Sequence, residues 1–92
     1  MNDKQKELLR RNLLFFSESK HRNLPADSDE FRLSRQIIHK MEELVEQEQI
    51  TNMVNMEAVY DFCMENMKKD NQKLDEYARE IASFIGWSDI SR

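Results

Sequence analysis

The chain has 92 residues, of which 39% are apolar and 35% are charged, and its net charge is −4. A length of this order corresponds to one small domain, so we expect 1–92 to be a single helical folding unit. One glycine and one proline are too few for a protein of many tight turns, which argues against a β-sandwich or barrel and favours an all-α fold. One cysteine excludes an internal disulfide framework.

The first predicted helix covers about 4–19, and it carries more apolar residues than one buried stripe requires. The stripe itself has the i, i+4, i+7 spacing of a helix and consists of Leu9, Leu13 and Phe16. Leu8 and Phe15 widen this stripe on one side, whereas Leu14 lies well away from it. The six apolar residues between Leu8 and Phe16 therefore cover more than half of the helix circumference.

This apolar surplus has two explanations. Helix 1 is the central helix of a bundle, or its second face meets another copy of the chain or a different protein, because large apolar patches seldom stay in water. In either case the positively charged rim of the helix is available to pair with an acidic surface. This rim consists of Lys6, Arg10, Arg11, Lys20 and Arg22.

A loop is predicted over 20–27, where Pro25 keeps the preceding residue out of helical geometry. Asp27 stands three residues before Glu30, the spacing of a capping box, so the second helix is expected over about 28–48. Its buried face follows the pattern of a core-facing helix and consists of Ser34, Ile37, Ile38, Met41, Leu44, Val45 and Glu48.

The third helix is predicted over about 54–69. It follows three residues able to cap a helix N-terminus, which are Thr51, Asn52 and Asn55. Its core stripe consists of Met56, Val59, Tyr60, Cys63 and Met67. Met53, Phe62 and Met64 are predicted to form a soft exposed patch, since methionine is common on surfaces that bind proteins. The alternative is that these methionines fill gaps in the core.

A fourth helix is predicted over about 71–85, followed by a short C-terminal tail over 87–92. Its apolar stripe consists of Leu74, Tyr77, Ala78, Ile81, Phe84 and Ile85. The connection to the third helix is so short that the last two helices must lie antiparallel. The sequence as a whole therefore predicts a small four-helix bundle with no β-sheet.

Few residues have the spacing of a catalytic or metal site. Glu18 and His21 form one Glu-x-x-His pair, whereas di-iron bundles use two. His39 is a candidate phosphoacceptor, but no glycine follows it to make room for a docking partner, and a partly wetted surface position is the simpler interpretation. Cys63 lies on the core stripe and is interpreted as a small core hydrophobe. We therefore expect no metal, no cofactor and no catalytic residue, and a protein that is not an enzyme.

These patterns predict a non-enzymatic helical protein that acts by binding a protein, as an inhibitor, immunity-type protein, adaptor or regulator. The contacts would come from helix 1, from the methionine-rich helix 3, or from both. The partner would be another protein, a second copy of the chain in a homodimer, or both. The residues predicted to contact it are Arg10, Arg11, Leu14, Phe15, Lys20, Arg22, Met53, Phe62 and Met64.

A nucleic-acid-binding regulator is the alternative, because 1–40 hold 9 Lys and Arg against 6 Asp and Glu. Its contacts would come from the basic N-terminal helix and Lys20–Arg22. An isoelectric point near 5.2 argues against it, since strong nucleic-acid-binding domains usually exceed about 9. A membrane-surface role for 4–22 is disfavoured because the polar face mixes charge signs. The sequence has no signal peptide and no apolar run of about 20 residues, which predicts a cytoplasmic protein.

Overall fold

The computed structural model describes residues 2–69 together with Leu74 and Glu76. Within them lie three helices and no strand: α1 (Asp3–His21), α2 (Asp29–Glu46) and α3 (Met53–Lys69). The all-α class is therefore confirmed, while the predicted count of four helices is not matched in the described residues. The fourth predicted helix, 71–85, lies outside the described residues except for Leu74 and Glu76, and the predicted tail, 87–92, lies wholly outside them.

The central element is α2, which packs against both other helices, while α1 and α3 contact each other less. Its buried residues occupy two adjoining flanks and are Leu33, Ser34, Ile37, Ile38, Lys40, Met41, Leu44 and Val45. The predicted stripes of α1 and α3 are both buried against it. The first explanation for the surplus of helix 1, that it is the central helix, is therefore wrong among the described residues.

The first helix is longer than predicted at its C-terminal end. A capping box fixes its start. The Asn2 side chain accepts a hydrogen bond from the Gln5 backbone N–H at 2.9 Å, and the Gln5 side chain accepts one from the Asn2 backbone N–H at 2.9 Å. At the other end the Arg22 backbone N–H donates to the Glu18 carbonyl at 3.0 Å, which continues the helical pattern. Lys20 therefore belongs to the helix and not, as predicted, to the loop.

The second helix begins at Asp29 and is capped by Ser28 instead of the predicted Asp27. The Ser28 hydroxyl accepts a hydrogen bond from the Phe31 backbone N–H at 3.1 Å and donates one to the Pro25 carbonyl at 2.8 Å. The second bond ties the cap to the preceding turn, which explains why the serine takes this position.

Ser28→Ala is expected to lower the free energy of unfolding by about 1 kcal/mol, the usual loss when a capping side chain is removed. Asp27→Ala is the matched control, since Asp27 is exposed and does not cap the helix, and we expect it to change stability by less than about 0.5 kcal/mol. Urea denaturation of both variants, followed by circular dichroism, measures the difference. A larger loss of stability in the Asp27 variant would indicate that Asp27, and not Ser28, caps the helix.

The second helix ends at Glu46, two residues before the predicted end. Glu48 adopts a left-handed conformation with φ of 60°, and its N–H donates to the Val45 carbonyl at 3.1 Å. The Gln49 N–H donates to the Leu44 carbonyl at 2.9 Å, which completes a Schellman cap. The chain thereby turns Ile50 into the core, where it is fully buried although no stripe predicted it.

The third helix begins at Met53, one residue before the predicted start, behind the N-cap Asn52. The Asn52 side chain accepts a hydrogen bond from the Asn55 N–H at 2.9 Å. The buried Asn55 side chain in turn accepts from the Thr51 backbone N–H at 3.2 Å and from its hydroxyl at 3.0 Å. These bonds fix the path of the chain into α3.

Candidate functional site

The most unusual surface within the described residues is the side of α1 that points away from the core. Leu8, Leu14 and Phe15 are 59%, 62% and 69% exposed, whereas the buried stripe of the same helix is at most 6% exposed. Large side chains of this kind are normally enclosed. The second half of the apolar surplus in helix 1 therefore lies in water and is not enclosed by the described helices.

A single strip of α1 lies directly opposite its buried stripe, and we call it the outward face. At 3.6 residues per turn its members fall within an arc of about 100°. It consists of Lys4, Glu7, Arg11, Leu14, Phe15, Glu18 and Arg22, all exposed. Arg22 belongs to it because its backbone keeps helical angles, with φ of −54° and ψ of −40°. Two apolar residues thus stand between charged residues at both ends.

Grooves flank the outward face on both sides. The groove between α1 and α2 has a volume of about 490 Å³, an apolar lining that includes Leu13, Leu14 and Ile38, and a charged rim that includes Glu46. The groove between α1 and the start of α3 has a volume of about 610 Å³ and is lined by residues that include Leu8 and Met53. Leu14 and Leu8 therefore connect the outward side of α1 with concave surfaces.

The Arg10 side chain is held by carboxylates of its own chain. Its Nε donates to Glu46 Oε1 at 2.7 Å, and its Nη1 lies 3.5 Å from Glu7 Oε2. The hydrogen bond to Glu46 is the main reason that the pKa of Arg10 is raised above its ordinary value. Arg11 also lies 3.6 Å from Glu7. Arg10, which the sequence predicts to contact a partner, therefore already pairs with carboxylates of its own chain and links α1 to the end of α2.

Lys20 connects α1 to α3. Its ammonium lies 3.9 Å from Asp61 Oδ1 and within 5.2 Å of the ring centres of Phe16 and Tyr60. The two rings meet edge to face at 5.4 Å, so the lysine covers an aromatic pair of the core. Arg22, at the end of the helix, is exposed. The two cations predicted to act together in Lys20–Arg22 therefore have different surroundings.

The predicted methionine-rich patch on α3 is not one surface. Met53 and Phe62 are partly exposed, but nine residues are two and a half helical turns, so they lie on opposite sides of α3. Met64 is partly buried and packs against the core, as the gap-filling alternative expects. Val54 is 69% exposed and was not singled out by any pattern in the sequence.

His21, the last residue of α1, is partly buried. Its ring packs against Phe31 at 5.0 Å, its Nδ1 lies 3.3 Å from the Ser17 hydroxyl, and its buried Nε2 has no hydrogen-bond partner among the described residues. Desolvation, together with the nearby positive charge of Arg35, lowers the pKa of His21. His39, by contrast, is exposed and 4.0 Å from Glu42.

Cys63 is fully buried on α3, and desolvation raises its pKa to about 12. A thiol in this state is not a nucleophile at neutral pH. No group of three or more side chains able to hold a metal ion occurs in the part of the chain that the structure describes.

None of the helices within residues 2–69 is both long enough and apolar enough to cross a bilayer. Comparison of the chain with protein-family models, with curated proteins and with solved structures finds no match.

Proposed function

We propose that this protein is a non-enzymatic binding module that docks another protein on the outward face of α1 and the adjoining Leu8. The observation that carries the proposal is the exposure of Leu8, Leu14 and Phe15 on one helix. An apolar centre surrounded by charged residues is the composition typical of a protein interface. Covering Leu14 and Phe15 would contribute roughly 1–3 kcal/mol each to binding, as full burial of such side chains usually does.

Two further features belong to the proposal. We propose that 71–85 forms a fourth helix, because Leu74 packs against the core cluster and begins the apolar stripe predicted for that segment. We also propose a reducing, cytoplasmic setting, since the single cysteine is a buried free thiol. The nucleic-acid alternative gains no support from the geometry, because Arg10 and Lys20 already face carboxylates of the same chain.

The test is affinity capture from the native host at low bait concentration, with Leu14→Glu/Phe15→Glu as the variant. Because both positions are exposed, the double variant is expected to keep the circular dichroism spectrum and melting temperature of the wild type while recovering at least about tenfold less partner. Val54→Glu is the matched control, since Val54 is as exposed as Phe15 but lies on α3. It should recover the partner fully.

Two results would contradict the proposal. One is a protein partner that the wild type and the double variant recover equally. The other is an equal loss of partner recovery in the double variant and in the Val54 control, which would show that added charge weakens capture wherever it is placed.

A further inference from the structure

The charges of the outward face are arranged so that the face complements itself. From Glu7 to Arg22 the strip is acidic, basic, apolar, apolar, acidic, basic: Glu7, Arg11, Leu14, Phe15, Glu18 and Arg22. Lys4, one turn earlier, lies outside this symmetric segment. Read in the opposite direction every acidic position coincides with a basic one, and the two apolar positions coincide with each other. A strip with this property matches a second copy of itself in antiparallel orientation.

We propose that α1 pairs antiparallel with α1 of a second copy, about a two-fold axis that passes between Leu14 and Phe15. This inference rests on the proposed function and names the second copy as the protein that covers the outward face. At the axis Leu14 and Phe15 of both copies form one apolar cluster. On either side Arg11 faces Glu18 of the second copy, and further out Glu7 faces Arg22 of the second copy. A two-fold interface of this kind closes after two chains.

The distances along the helix agree with this register. At 1.5 Å per residue, the contact between Arg11 and Glu18 falls about 5 Å from the axis, and that between Glu7 and Arg22 about 11 Å from it. Helices that pack together lie about 8–10 Å apart, a distance that long charged side chains can span. The paired segment covers residues 7–22, or roughly 24 Å of helix.

The opposite orientation is disfavoured by the same charges. In a parallel pair each residue lies opposite itself, so Arg11 would face Arg11 and Glu18 would face Glu18 of the second copy. Like charges in these positions oppose association. The antiparallel register turns each of these contacts into an attractive one, so charge selects the orientation while the apolar centre supplies the driving force.

The ion pairs within the chain allow this arrangement. Arg11 lies 3.6 Å from Glu7 on an exposed surface, where such a pair contributes only about 0–1 kcal/mol. Exchange of this partner for a carboxylate of the second copy therefore costs little. Arg10 lies to one side of the outward face and keeps its bond to Glu46. Its exposed 3.5 Å contact with Glu7 is exchanged at a similarly small cost.

The interface is small, because only two residues per copy are apolar at its centre. It falls at the low end of protein interfaces, below about 1,200 Å² in total, where complexes are weak and reversible. We therefore expect an equilibrium between monomer and dimer at concentrations between about 10 µM and 1 mM, and a dimer that weakens as salt is added.

Sedimentation equilibrium of the full chain with reversed charges tests the register. Arg11→Glu and Glu18→Arg each place like charges together in both halves of the dimer, and each is expected to weaken dimerisation at least about tenfold. The double variant restores both contacts with exchanged signs and is expected to return to within about threefold of the wild type. Glu57→Arg, an exposed reversal on α3, is the control and should have no effect.

The self-pairing is overturned if the wild type stays monomeric up to about 1 mM, or if the double variant is not restored although its circular dichroism is unchanged. Its failure can be told from failure of the proposed function. A monomeric chain whose capture of a host protein still requires Leu14 and Phe15 would overturn the dimer and leave the binding module standing. Restored dimerisation of the double variant in sedimentation equilibrium supports the self-pairing whatever the affinity capture shows.

Discussion

Leu44→Ala is expected to lower the free energy of unfolding by about 2–5 kcal/mol, the range for removing a large apolar side chain from a packed core. Leu44 is fully buried on α2, the helix that both neighbours pack against. Truncation removes favourable burial and leaves a cavity that two fixed helices cannot close. Because a domain of this size has a total stability of roughly 5–15 kcal/mol, the loss would be a large share of it. Urea denaturation followed by circular dichroism gives the value.

The matched control is Leu14→Ala, the same chemical change on the exposed side of α1. Leu14 is 62% exposed, so we expect a change of less than about 0.5 kcal/mol in the monomer. The same variant is expected to weaken dimerisation, since it removes part of the apolar centre. Similar losses of stability at positions 44 and 14 would show that the outward face is packed within the chain.

Tyr60→Phe is expected to destabilise the protein by about 1–3 kcal/mol, although it removes a single oxygen. The Tyr60 hydroxyl lies 2.8 Å from the hydroxyl of Ser34, which is fully buried on α2. Desolvation of this hydroxyl raises the pKa of Tyr60. Loss of the partner leaves a polar group of Ser34 unsatisfied in the core, and this desolvated group is the source of the loss.

A double-mutant cycle separates the hydrogen bond from the packing. Ser34→Ala/Tyr60→Phe removes both polar groups, so it is expected to be no less stable than Tyr60→Phe alone, with a coupling of at least about 0.5 kcal/mol in denaturant unfolding. Strictly additive losses in the two single variants would mean that the hydroxyls do not interact.

The body of each described helix could be predicted from the sequence, because apolar spacing depends only on the geometry of one helix. Every member of the predicted stripe of α2 is buried except Glu48, which lies beyond the end of the helix. The ends were less predictable, because neighbouring residues compete for them. Asp27 and Ser28 can both cap a helix, and the choice depends on a bond from Ser28 to Pro25. Ile50 is buried because Glu48 takes a left-handed conformation, and the spacing of apolar residues does not predict that conformation.

The outward face was predictable in part. The position of Leu14 around the helix, far from the buried stripe, is enough to expect its exposure, and the structure places it in water. The ion-pair partners of the basic residues were not predictable, because they lie in distant parts of the chain. Arg10 meets Glu46, 36 residues later, and Lys20 meets Asp61 across the bundle. Only the packing of three helices brings these charges together.

Self-association through the outward face is tested most directly by nuclear magnetic resonance of the isotope-labelled full chain. The chain is diluted from about 1 mM to about 10 µM, the range in which small interfaces dissociate. If the outward face of α1 is where this protein binds and its partner is a second copy, amide shifts will change with concentration around Arg11, Leu14, Phe15 and Glu18. Those around Val54 and Glu57 on α3 will stay constant. Shifts that do not change, or that change on α3 and not on α1, would contradict self-association through the outward face.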